Sequence, residues 1–173
     1  MKKVLAALLV GLISLTLSGV AGAAPATPDV DFAKGRGTDS FGGQAIGAFN
    51  FSATDSDGLP ATDAATGNFS YHAKGRFSGN PSLKGTVTCL RVEGSLAVVG
   101  GTVDNTDDPT FEGGSFYLGV SDSGLPKGEG DEFLLRLDPG FPNASCGLYP
   151  PGTGGGRPIL KGDILVIDAT PPA

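Results

Sequence analysis

Beyond residue 40, apolar residues recur at alternate positions in short runs, with Gly, Asp, Asn and Pro between the runs. That two-residue period is the mark of β-strands with one face in a core and the other in water. In NFSYHAKGRF, Phe69, Tyr71, Ala73 and Phe77 fall on one face, and Ser70, His72, Lys74 and Arg76 on the other. In SFYLGV, Phe116, Leu118 and Val120 share a face; in DEFLLRLD, Phe133, Leu135 and Leu137 oppose Glu132, Leu134, Arg136 and Asp138. IGAFNFSA is a further strand, with Phe49 and Phe51 inward. No stretch keeps the helical period of about 3.6 residues over ten or more positions, so the chain reads as all-β.

Two stretches break the half-wet pattern. In TVTCLRVEGSLAVVGGTV, a two-residue turn at Glu93-Gly94 or Gly94-Ser95 pairs 86–92 with 95–103 as an antiparallel hairpin. Leu90, Val92, Ala97 and Val99 then share one face, and Val87, Cys89, Leu96 and Val98 share the other with Arg91. Both faces are largely apolar, which places the hairpin in the middle of the domain, under a second layer or a loop. KGDILVIDA (161–169) has the same character.

About eight short strands without helices fit a small antiparallel β-barrel or, as the alternative, a two-sheet β-sandwich. Glycines within the strands (Gly43, Gly47, Gly100, Gly101, Gly119) favour the tight coiling of a barrel, which also removes exposed edges.

The first residues change the picture of where the domain works. Lys2 and Lys3, the apolar run VLAALLVGLISLTLSGV and Ala21-Gly22-Ala23 have the order of a secretory signal peptide over residues 1–23. Residues 24–40, APATPDVDFAKGRGTDS, have little periodicity and read as a flexible N-terminal arm, leaving 41–173 as a single β-domain. Without Lys2 and Lys3, ten Lys and Arg face eighteen Asp and Glu, a net charge of about −8. That balance argues against nucleic acid as a partner and, after signal cleavage, against the membrane, because both reward dense Lys and Arg.

In an exported chain the two cysteines, Cys89 and Cys146, point to one disulfide closing a loop of about 58 residues, worth roughly 4 kcal/mol in the chain-entropy picture. A free, reactive pair is the competing reading. Cys146 sits in DPGFPNASCGLYPPGTGGGRP, whose five prolines and six glycines suit neither a helix nor a central strand. A link to Cys89 would hold that segment over the outer apolar face of the hairpin.

Candidate chemistry is sparse. A Ser-His-Asp site would need a serine within reach of His72 and a carboxylate behind it. No G-x-S-x-G elbow is present, and His72 lies on the polar side of its strand. His72, Lys74 and Arg76 form a small basic stripe able to contact an anion, with ordinary solvated charge as the plainer reading. ATDSDG fails as an EF-hand loop, since Ala53 and Ala64 fall where the first and twelfth ligands belong. The acidic loops DNTDDP and GEGDE leave calcium open, although Asp, Asn and Gly are also turn formers. Two cysteines and one histidine are too few for a zinc site, and no cofactor motif is present; GTGGGRP lacks the Lys-Ser/Thr of a phosphate loop. Three sequons, at Asn50, Asn68 and Asn143, matter only in a glycosylating host.

GTVTCLRVEGSLAVVGGTV, DSGLPKGEGDEFLLRLD and KGDILVIDA together resemble a family of small secreted β-rich proteins, mostly actinobacterial, that has no assigned function; the similarity spans most of 66–169. The resemblance implies a secreted β-domain and carries over no catalytic or binding residue. The resulting expectation is a secreted, non-catalytic β-domain with a binding or extracellular structural role, without cofactor or metal. Its partner would be an extracellular protein, a surface polymer or a small apolar ligand. An alternative is a barrel carrying an apolar ligand between Phe49, Phe51, Phe69, Tyr71 and Phe116; a third is a barrel isomerase or cyclase.

Overall fold

The computed structural model describes residues 30–41, 44–55, 64–74, 81–141, 144–152 and 156–169. Eight antiparallel strands follow one another around a closed barrel, and the last pairs with the first. They are β1 (Asp31–Phe41), β2 (Gln44–Asp55), β3 (Thr66–Ala73), β4 (Leu83–Glu93), β5 (Leu96–Thr106), β6 (Ser115–Ser121), β7 (Glu132–Asp138) and β8 (Arg157–Ile167). Among the described residues the only helical pieces are 3-10 turns at Pro109–Phe111, Pro126–Gly128 and Cys146–Leu148. The architecture is thus the barrel rather than the sandwich, and Cys89 is bonded to Cys146.

The first strand corrects the sequence reading. Residues 31–40, assigned above to a flexible arm, belong to β1 and pair with β2 and β8. Residues 1–29, including the signal-peptide segment, lie outside the described residues. KGRGTDS has the composition of a turn, but its glycines serve the packing of a strand. Gly35 stands opposite Phe51 and Gly37 opposite Phe49. A Cβ on Gly35 would lie 2.6 Å from the Phe51 ring, and one on Gly37 would lie 2.8 Å from the Phe49 ring. The rings of β2 fill the space that side chains of β1 would otherwise occupy.

The same device recurs across the barrel, where a Cβ on Gly85 or Gly101 would lie 2.6 Å from the Phe116 ring. The interior is packed ring against ring. Phe49 stacks on Phe133 with centroids 4.1 Å apart, Tyr71 lies parallel to Phe133 at 6.5 Å, and Phe69 meets Phe116 at 4.8 Å. Leu90, Val92, Ala97, Val99, Leu118, Val120 and Leu135 complete this core.

The β4–β5 hairpin turns at Gly94-Ser95, with Gly94 at φ +61°, in the position where a II′ turn requires glycine. Cys89 and Val98 point outward and Leu90, Val92, Ala97 and Val99 inward, as the alternation requires. Val87 does not. A bulge between Val87 and Cys89 resets the alternation, so Val87 packs inside rather than beside Cys89. Phe77, expected on the inner face of β3, lies outside the described residues.

The barrel is closed unevenly. β7 and β8 pair only at Glu132–Pro158 and Phe133–Arg157. Beyond that short seam, Asp131 Oδ2 accepts the Ile164 amide at 2.8 Å and Asp122 Oδ2 accepts the Val166 amide at 3.1 Å. Carboxylates of the 122–131 loop thus satisfy backbone donors that a longer β7 would have met.

Outside the barrel, Cys89, Val98, Tyr117, Ala144 and Cys146 form a second, smaller apolar cluster, with Tyr149 packed against it. The Pro- and Gly-rich segment supplies its lid.

Candidate functional site

Two regions gather chemistry-bearing side chains, one inside the barrel and one on its outer surface. Inside, Phe49, Phe51, Phe69, Tyr71 and Phe116 share one buried core, joined by Phe133. All are buried. Asp39, which the sequence reading overlooked, sits among them fully buried, with the Tyr71 hydroxyl donating to it, 3.3 Å from each carboxylate oxygen. Asp39 takes the inward parity of Ala33, Gly35 and Gly37 on β1, and bulges in the pairing with β2 and β8 flank it. Burial pushes the Asp39 carboxyl above its ordinary value; the charge of Arg157, the Tyr71 hydroxyl and the backbone amides of Asp39 and Gly47 pull the other way. A carboxyl, a phenol and a guanidinium are the ingredients of proton transfer, but the two residues that touch, Asp39 and Tyr71, are closed off from solvent.

His72 is exposed, with Nδ1 3.5 Å from Ser82 Oγ. That hydroxyl accepts the Ala73 amide at 3.0 Å, and the nearby carboxylate of Asp107 accepts the Ser82 amide at 2.9 Å. Asp107 therefore fastens the backbone of Ser82 instead of orienting the imidazole, unlike the acid of a catalytic triad. Lys74 is exposed just past the end of β3, its amide bonded to Ile46 O. Arg76 lies outside the described residues. The acids of the two candidate calcium loops are engaged within the fold: Asp104 of β5 accepts from Thr86 Oγ1 of β4, Asp108 from the Thr110 amide, and Asp131 from the Ser123 amide and hydroxyl.

The outer wall of β8, β1, β2, β3, β4 and the end of β5 holds a larger arrangement around His72. Register places Asp163 beside Arg36, Arg36 beside Asn50, Asn50 beside Ser70, Ser70 beside Lys84, and Lys84 beside Asn105. These six polar residues make one row across six strands, about 24 Å along the curved surface at a strand spacing of about 4.8 Å. Three open concavities adjoin the row. One of about 500 Å³ is bordered by Asn50, Ser70, His72 and Lys84; one of about 980 Å³ by Arg36, Asn50, Lys127, Lys161 and Asp163; and one of about 330 Å³ by Lys34, Arg36, Ser52 and Asp163. Asn50 borders all three.

Their rims carry five Lys and Arg side chains against two carboxylates, Asp107 and Asp163, in a chain whose net charge is −6. Among the described residues the ion pair is Arg91–Glu93, away from this wall. Sequence reasoning singled out His72, which borders the first concavity, but not Lys34, Arg36, Lys84, Lys127 or Lys161. Reading KGRG as a strand would have put Lys34 and Arg36 on the same outward face.

No family model, no curated protein and no solved structure matches the chain.

Proposed function

We propose that the chain is an exported, non-catalytic barrel domain that acts by binding through its outer wall, as a member of the small secreted β-rich proteins it resembles. The observation that carries this reading is the ring-on-ring interior. Phe49, Phe51, Phe69, Tyr71 and Phe116 spend their surface on one another and on Phe133, so the aromatic residues that a carrier would offer to an apolar guest are already engaged. The polar row, by contrast, is open and rich in hydrogen-bonding groups. The disulfide is compatible with an oxidising compartment, and the amino-terminal residues have the order of a signal peptide.

Expression of the full chain in a secreting bacterial host tests both halves of the reading. The released protein should begin at Ala24, carry no free thiol, and show no saturable uptake of a fluorescent fatty acid. Retention inside the cell with an intact amino terminus would remove the export reading. Stoichiometric uptake of the fatty acid would hand the function to the apolar carrier.

A further inference from the structure

We infer that the row from Asp163 to Asn105 is a binding track for an extended acidic polysaccharide, a polymer of sugar rings bearing carboxylates. This assignment rests on the outer-wall reading above and names its ligand class. Charge supplies the first support: the basic rim is concentrated on one wall of an otherwise acidic protein, and electrostatic complementarity selects an anionic partner there.

Spacing supplies the second. One polar side chain is presented per strand, at a backbone spacing of about 4.8 Å that widens toward the side-chain tips on the convex face, a separation on the order of one sugar ring. Arg36 and Lys84 stand three strands apart along the row, with Asn50 and Ser70 between them. The cations meet carboxylates, while the amide and hydroxyl groups between them exchange hydrogen bonds with ring hydroxyls. Asp163, next to Arg36, repels an anion but accepts from a hydroxyl, which favours a polymer whose rings carry hydroxyls beside each carboxylate over a polyanion that offers charge alone.

The fold also disfavours the other polyanions. The wall strands β1 to β5 are each paired on both sides, so an acidic peptide cannot add to the wall as an extra strand. Single-stranded nucleic acid needs aromatic platforms for its bases, and the row contains none.

Affinity electrophoresis of the released protein through gels containing polygalacturonate, with dextran, polyglutamate, polyphosphate and single-stranded DNA as parallel gels, tests the assignment. Polygalacturonate should retard the protein most and dextran not at all. Arg36→Gln with Lys84→Gln should weaken the retardation by about tenfold or more, the loss expected of two charge-assisted hydrogen bonds. Arg91→Gln with Arg136→Gln removes the same charge elsewhere and should change it by less than about twofold. Asn50→Ala leaves every charge in place and should still cost about threefold. Each exchanged residue is exposed or half-buried, and circular dichroism confirms folding.

Equal weakening by both double variants would reduce the effect to net charge and overturn the assignment. So would retardation by polyglutamate, polyphosphate or DNA as strong as that by polygalacturonate, or no retardation at low salt. Such a failure, with an Ala24 amino terminus and no fatty-acid uptake, removes the polysaccharide but not the outer-wall reading beneath it.

Discussion

The outer faces of β5 and β6 and of β1 to β3 are made from the same kind of alternating strand, yet one is roofed and the other bare. On the roofed side, Val98 and Tyr117 point outward, and the chain returns to cover them with Ala144, Cys146 and Tyr149. The Tyr117 and Tyr149 rings meet at 4.5 Å, Arg136 lies over Tyr149, and the Tyr117 hydroxyl accepts the Ser145 amide at 3.3 Å. On the bare side the outward positions are Lys34, Arg36, Asn50, Ser70 and His72, and water can solvate them directly. An apolar outer face on a barrel has to be covered. A cover rich in Pro and Gly makes few regular backbone bonds of its own, so it is tied covalently.

Removing the tie is the strongest way to separate the two sides. Cys89→Ala with Cys146→Ala releases a link spanning 57 residues of sequence, and the chain-entropy picture puts the loss at about 4 kcal/mol. Thermal unfolding should shift downward by roughly 10 °C for a domain of this size. Native-state amide exchange should rise most in residues 144–152, through local opening, while β1 to β3 lose only the protection that the fall in global stability takes from them. Equal loss of protection on both walls would mean that the cover stabilises the whole barrel rather than its own patch.

The bare wall is tolerant outside and intolerant inside, and a neighbouring pair of substitutions shows this. A Cβ on Gly37 would lie 2.7 Å from Lys161 O and 2.8 Å from the Phe49 ring, contacts that backbone and packed rings cannot relieve by a rotamer change. Gly37→Ala should therefore cost about 1–3 kcal/mol, the usual penalty for overpacking a filled core. Thr38→Ala, one residue on and half-buried on the outer face, should change stability by no more than about 0.5 kcal/mol. Chemical denaturation of the two variants side by side measures the contrast. Similar costs at both positions would show that the outer face is as constrained as the inner one.

These glycines also explain how far the sequence could be read. Phe69, Tyr71, Phe116, Phe133 and their neighbours announce their strands because each brings its own apolar side chain to the inner face. The hairpin follows from the same local signals and its turn to within two alternatives at Gly94, while the partner of Cys89 follows from there being one other cysteine. β1 is hidden because its inner face at Gly35 and Gly37 is filled by rings from β2, a contact made across strands and absent from local composition. Missing β1 concealed the basic wall as well, since Lys34 and Arg36 become neighbours of Asn50 and Asp163 only through pairing with β2 and β8. Val87 was misplaced for a related reason, because a bulge changes the parity of a strand without leaving a clear mark in sequence. Asp39 was passed over because an acid next to Thr38 and Ser40 looks like a turn, whereas in β1 it takes the inward parity of Ala33, Gly35 and Gly37.

Asp39 gives the smallest and most selective probe, inside the bare wall. Its carboxyl is raised above the ordinary value of 3.8 by burial, with Arg157 and Tyr71 offsetting part of that effect. In the interval between the unfolded and folded values the native state holds the proton more tightly than the unfolded chain. Stability contributed by this group is therefore fully present below the unfolded value and is lost as pH rises through the folded value. Asp39→Asn keeps an acceptor for the Tyr71 hydroxyl, 3.3 Å away in the native protein, and carries no charge to desolvate. The variant should gain on the wild type as pH rises from about 3.8 toward neutrality, then run parallel to it once Asp39 is ionised in both states. Urea unfolding at several pH values measures the difference. A gap that shrinks with rising pH would mean that Arg157 stabilises the Asp39 carboxylate by more than burial costs, making the pair an internal tie between β1 and β8.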